Sequence, residues 1–181
     1  MYNRPRFSQQ SDTPEADFPL DGQFASPDPY KVERHPLDTP AEVFHDLAPM
    51  VRVWQSRWKG DALPAWRDFN FEDFRGWHAC IAMTEYLGDD DIRFRLFGSH
   101  LATAHGKDFT WYRFSEMAPG PYRDVYAEHF RALRRDRLIG CGHGQVILKE
   151  RQHISFIVVE LPLGHPVITN LLHVYLAPIL L

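Results

Sequence analysis

Ten histidines and two cysteines carry most of the reactive chemistry open to this chain. His78-x-Cys80 and Cys141-x-His143 repeat one pairing, and together they number the four donors of a tetrahedral zinc site. Residues two apart share a face on a strand but not on a helix, so zinc would require both pairs on strands. The spacing lacks a CxxC knuckle; two buried thiols and two surface or hydrogen-bonded imidazoles are the plainer expectation. In Gly140-Cys141-Gly142-His143-Gly144 a thiol stands beside an imidazole. Chain neighbours rarely reach the geometry of a Cys–His pair, so the alternating glycines are read as a strand edge or bulge. Ser99, Ser115 and Ser155 lack nucleophile-elbow glycines, and neither GxGxxG nor a P-loop is present. Arg95 and Asp108 are the polar residues best suited to each other. They would pin a loop to the sheet as an arginine–carboxylate pair, or Arg95 would bind an anionic ligand.

The elements that position these groups are legible in part. The chain has 181 residues, 44% apolar and 14% aromatic, enough for one packed core with an appendage. Its net charge of −4 argues against a nucleic-acid binder. Arg131, Arg134, Arg135 and Arg137, without interleaved aromatics, read as a solvated helix face. Two cysteines are too few for a disulfide framework, no apolar h-region opens the chain, and no run approaches the ~20 residues of a membrane span. The expectation is a cytoplasmic protein with no membrane partner.

Residues 1–40 hold seven of the fourteen prolines and a mild acidic excess, and read as a flexible arm, with peptide docking as the functional alternative. Residues 41–62 read as an N-terminal helix: Thr39 as N-cap, Pro40 in the first turn, Glu42 three after the cap. Val43, Leu47, Met50, Val51, Trp54 and Trp58 make one stripe, which covers either the domain's own sheet or a dimer partner. Pro49 is expected to kink it. Residues 63–181 form the domain proper. Asn70 caps a helix running to Trp77, strands 79–87 and 92–97 form a hairpin, and a helix spans Tyr122 to about Asp136. Strands follow at 146–148, 154–161 and 168–176. In the second strand Ile92, Phe94 and Leu96 alternate onto one face, opposite Arg93 and Arg95.

The order of elements and four motifs resemble a bacterial subfamily of PAS domains. Leu63-Pro64-Ala65-Trp66-Arg67-Asp68-Phe69 matches an LPxxxDF opening, and Asp91-Ile92-Arg93-Phe94-Arg95-Leu96-Phe97-Gly98-Ser99 is close to an FRxRLxGS strand. Gly106-Lys107-Asp108-Phe109-Thr110 matches a GKDxT loop, and Leu161-Pro162-Leu163 a late LPL. The likeness spans roughly residues 41–178. It implies an α+β fold: a five-stranded antiparallel sheet with helices across one face, preceded by the N-terminal helix. The subfamily carries glycine where this chain has Trp111; glycine permits φ > 0 there and tryptophan is expected not to.

The resemblance implies a sensory or regulatory domain that binds a small molecule or a signalling protein and acts through homodimerisation or a separate effector chain. Its pocket would be lined by Phe94, Leu96, Phe109, Tyr126, Phe130, Phe156 and Val158, with Arg95, Asp108 and His129 as polar candidates. The cofactor stays open, with zinc and haem as minor options. Some PAS domains hold haem through a helix histidine; Tyr126 falls at that position and His129 almost one turn later. The alternatives are a cone-shaped enzyme of the ketosteroid-isomerase type using Asp108 with Tyr112, and a structural adaptor without a ligand. Binding, not catalysis, is the expectation.

Overall fold

The computed structural model describes residues 31–89, 91–117, 120–146 and 154–176. Strands β1 (Lys31–Pro36), β2 (Ile81–Leu87), β3 (Asp91–Phe97), β4 (Leu138–Gln145), β5 (Ser155–Leu163) and β6 (Asn170–Leu176) form one antiparallel sheet in the order β1-β4-β5-β6-β2-β3. The fold is α+β and PAS-like, with six strands rather than five.

The additional strand, β1, comes from the segment read as a flexible arm. It pairs with β4 from Lys31↔His143 to Pro36↔Leu138. Its side chains bury little, with only Val32 and His35 half-buried, so it is held chiefly by backbone hydrogen bonds and shows no apolar alternation. The first 30 residues of the expected arm lie outside the described residues.

The helices lie on both faces. On one, α1 (Ala48–Ser56) lays Met50, Val51 and Trp54 against Ile81, Val159, Leu161 and Leu172. Trp54 Nε1 also donates to the Pro162 carbonyl at 3.0 Å. The apolar stripe therefore covers the chain's own sheet, which removes it as a dimer seam; Val43 stays exposed. The expected continuous helix is divided. Ala41–Leu47 is a 3₁₀ segment that breaks at His45, with φ 47°, and α1 begins at Ala48. Pro49 thus falls in the first turn of α1, where its missing N–H leaves no gap, and it kinks nothing. Pro40 takes the cap position without a side-chain bond, while the Thr39 carbonyl accepts from Gln55 Nε2 at 3.1 Å.

The other face carries α2 (Ser99–His105), α3 (Phe114–Met117) and α4 (Gly120–Arg135). A bulge in the β2–β3 ladder decides which residues of β3 join it. Met83 pairs with Leu96 and Thr84 with Phe94, so Arg95 is an extra residue. Leu96 is thereby turned to the α1 face, and Phe97 joins Phe94 against Leu101 and Phe109. Strict alternation fails at that residue.

The motifs are largely structural fasteners. Asp68 Oδ2 accepts from Ala65 N–H at 2.8 Å, and the Pro64 carbonyl accepts from Gly164 N–H at 2.9 Å, tying LPxxxDF to the end of β5 beyond LPL. Asn70 does cap, its Oδ1 accepting from Asp73 N–H at 3.2 Å, but the element is one 3₁₀ turn, Phe71–Phe74, not a helix to Trp77. Gly76, at φ 82°, follows that turn. The strand expected at 146–148 lies, beyond Val146, outside the described residues; β4 at Leu138–Gln145 runs through the alternating glycines instead.

Candidate functional site

Glu160, His129 and His173 meet on the α4 side of the sheet, all at most 3% exposed. β5 brings Glu160 opposite Gly140 of β4 and His173 of β6, and α4 lowers His129 onto them. His129 Nε2 lies 2.5 Å from Glu160 Oε2. His173 Nδ1 stands 3.5 Å from Glu160 Oε1, an electrostatic contact without hydrogen-bond geometry, while its Nε2 shares a 2.8 Å bond with Thr84 Oγ1.

A sixth strand completes the arrangement. Arg34 of β1, directly across from Gly140, donates from Nε to His129 Nδ1 at 3.3 Å. An arginine can only donate, so Nδ1 is the acceptor in that contact, and Nε2 faces Glu160. Burial works to raise the Glu160 carboxyl, but attraction to His129 and His173 outweighs it and holds the group well below the usual carboxylate range. The Glu160 carboxylate accepts a hydrogen bond from His129 Nε2–H inside this buried cluster. Burial and this negative charge push the Tyr86 and Tyr175 hydroxyls up.

Gly140 makes the contact possible. A Cβ there would stand 2.2 Å from Glu160 Oε2, 2.8 Å from Leu133 Cδ1 and 2.9 Å from His129 Nε2. Space on this strand is what the cluster occupies. Aromatic rings surround it: Phe130 lies 5.7 Å from His129 and 6.4 Å from His173, and Tyr126 and Phe114 pack on Phe130.

Seven of the ten residues singled out from sequence reach this face: Phe94, Phe109, Tyr126, His129, Phe130, Phe156 and Val158. Three do not. Leu96 is on the α1 side, as above. Arg95 pairs with Glu85 (Nη1 to Oε2, 3.1 Å), not with Asp108, and its guanidinium lies 4.3 Å from the centre of the Trp111 ring. Burial alone would raise the Glu85 carboxyl; hydrogen bonds from Arg93 and Arg95 reverse that and lower it. Asp108 is exposed, and its Oδ1 accepts from Thr110 N–H at 2.8 Å and Thr110 Oγ1 at 2.6 Å. It closes a turn and is not a pocket carboxylate of the kind an isomerase would need.

Trp111 overturns another expectation. It adopts φ 76° despite its side chain, held by a 2.7 Å bond from its N–H to the Phe94 carbonyl.

The zinc set is not assembled, because β5 and β6 separate the Cys141 pair from the Cys80 pair. Cys80 Sγ meets His100 Nδ1 at 3.5 Å, and Cys141 Sγ meets His143 Nε2 at 3.8 Å. Among the described residues no group of three or more such donors is placed to hold a metal. His129 does not fit haem ligation either, since both its ring nitrogens are engaged inside the chain. The arginines of α4 and beyond are bonded at the surface: Arg131 to Glu128, Arg134 to Asp89 and the Gly88 carbonyl, Arg135 to Asp136, Arg137 to the Asp61 carbonyl.

Sequence reasoning missed Glu160, His173, Thr84 and Arg34. A lone carboxylate and a lone imidazole inside the apolar runs Phe156–Leu163 and Leu171–Leu176 were the available signal, because a buried charge must find a partner.

A sheet covered on both faces, with an ionised cluster sealed under its longest helix, defines a small α+β domain built around one buried polar feature. A family model described as the PAS domain matches residues 44–171, and the chain belongs to that family of sensory and regulatory domains. No curated protein and no solved structure matches it. Among the described residues no helix is long and apolar enough to cross a membrane.

Proposed function

We propose that this PAS domain senses through its α4-covered face, binding there a small apolar or amphipathic molecule or a partner protein. The carrying observation is the Glu160 carboxyl buried between His129 and His173 among aromatic rings. Apolar side chains of the same volume would serve stability at least as well as a buried ionic group, so the cluster is better explained as a polar anchor than as a fastener. A ligand offering one hydrogen-bonding group in an apolar frame suits it.

The reading is of a cytoplasmic binding domain, not an enzyme. Output passes through homodimerisation or a separate effector chain, by a surface other than the α1 stripe. Native mass spectrometry with an absorption spectrum on freshly purified protein tests this. A defined adduct lost in Glu160→Gln supports it; a bare chain with no thermal shift from any small molecule or partner overturns it. Bare chains that respond only to a partner protein favour the ligand-free adaptor.

A further inference from the structure

Trp111 combines two properties that a folded domain ordinarily avoids. It is 60% exposed, and its φ of 76° lies where glycine is unstrained and an L side chain is not. Around it the charge is unbalanced. Arg93 and Arg113 are directly paired across an isolated β-bridge, an arrangement of like charges that is unfavourable without an anion nearby. Arg95 lies over the indole. Against these three guanidiniums stand Glu85, which serves both Arg93 and Arg95, and Glu116, which accepts from the Arg113 backbone N–H at 2.8 Å. Lys107 lies over Tyr112 next door, and Asp108 is engaged by Thr110.

We propose that the acidic N-terminal segment of this same chain, Asp12–Phe24, docks on the Trp111–Arg95–Arg113 surface at the β3 edge. Between Ser8 and Tyr30 the sequence has five carboxylates, Asp12, Glu15, Asp17, Asp21 and Asp28, and no lysine or arginine. Phe18, Leu20 and Phe24 are interspersed with them. Carboxylates meet the guanidiniums, and a phenylalanine packs on the exposed part of the indole. The chain is long enough. β1 and β3 are the two ends of the sheet, five strand spacings or about 24 Å apart. The 13 residues from Phe18 to Lys31 reach about 43 Å when extended, at roughly 3.3 Å each. The docking stands apart from any ligand under α4.

The test uses the full chain with Phe18 replaced by the photoreactive p-benzoylphenylalanine, irradiated and mapped by mass spectrometry. The expected product is an adduct of monomer mass at Trp111–Arg113, reduced severalfold in 1 M salt and by Arg95→Glu. Asp17→Lys with Asp21→Lys, the reversal on the other partner, should reduce it equally. Adducts scattered over the surface, or a yield indifferent to both charge reversals, overturn the proposal. An adduct of dimer mass overturns it in favour of exchange between two copies.

Discussion

Adding one methyl group at Gly140 should dislodge the buried cluster. The alanine Cβ would lie 2.2 Å from Glu160 Oε2, well inside contact distance, and Leu133 and His129 block retreat at 2.8 and 2.9 Å. Overfilling a packed site costs about 1–3 kcal/mol. Turning the carboxylate aside also loses its bond to His129 with both groups still buried, worth about 1.5–3 kcal/mol for a hydrogen bond to a charged group. Replacing a mid-strand glycine returns about 0.5–1 kcal/mol. The balance is a loss of about 2–5 kcal/mol, or a fall in Tm of about 4–20 °C for a chain of this size. Urea unfolding of wild type, Gly140→Ala, Glu160→Ala and the double variant forms a closed cycle. In the Glu160→Ala background, where the closest obstruction is gone and only the 2.8 and 2.9 Å approaches to Leu133 and His129 remain, Gly140→Ala should cost distinctly less. An equal cost in both backgrounds would refute the steric account, as would a Gly140→Ala protein as stable as wild type.

Stability should fall in acid through Glu160. Its folded carboxyl titrates below the ordinary 4.5, so its contribution is complete above about pH 4.5 and declines as pH drops beneath it. Glu160→Gln should flatten that limb of a urea-midpoint-versus-pH curve; an unchanged slope counts against an ionised cluster. At position 111, Trp111→Gly should exceed Trp111→Ala in stability by about 1 kcal/mol, since only glycine relaxes at φ 76°. Equal denaturation midpoints would mean that the strain is absent. Burial pushes the Cys141 thiol up to about 11, with the Glu33 and Glu160 charges adding to it, and burial raises Cys80 as well. Both should resist iodoacetamide at pH 7.5 until denaturant is added; stoichiometric labelling of the folded protein would contradict this.

Local signals were readable where burial writes a period. The hairpin of β2 and β3 follows from their apolar and β-branched residues around a Gly-Asp turn, and α4 from its one-sided aromatics. Three kinds of error mark the limits. A bulge adds one residue at Arg95 and reverses everything after it, and no residue type announces it. A strand such as β1, with scarcely any buried side chain, leaves no periodicity to detect. The cluster itself unites β1, β5, β6 and α4, so each member looks alone in sequence. His129 stands out on its helix, yet Glu160 and Arg34, which define its chemistry, are 31 and 95 residues away. Asp108 and Arg95, close in sequence and complementary in charge, each found a different partner: Thr110 and Glu85.

The pairing of β1 with β4 separates the unit that evolution repeats from the unit that folds. The family match begins at residue 44, after β1 has ended at Pro36. A chain started at that boundary would leave β4 with a row of unsatisfied amides and carbonyls along an open flank. Its residues there, Gly140, Cys141, Gly142 and Gly144, offer little charge or bulk to deter another strand. The shortened protein would thus gain a self-association surface that the longer one has already closed, and crosslinked oligomers in such a fragment would report a missing edge, not a physiological assembly.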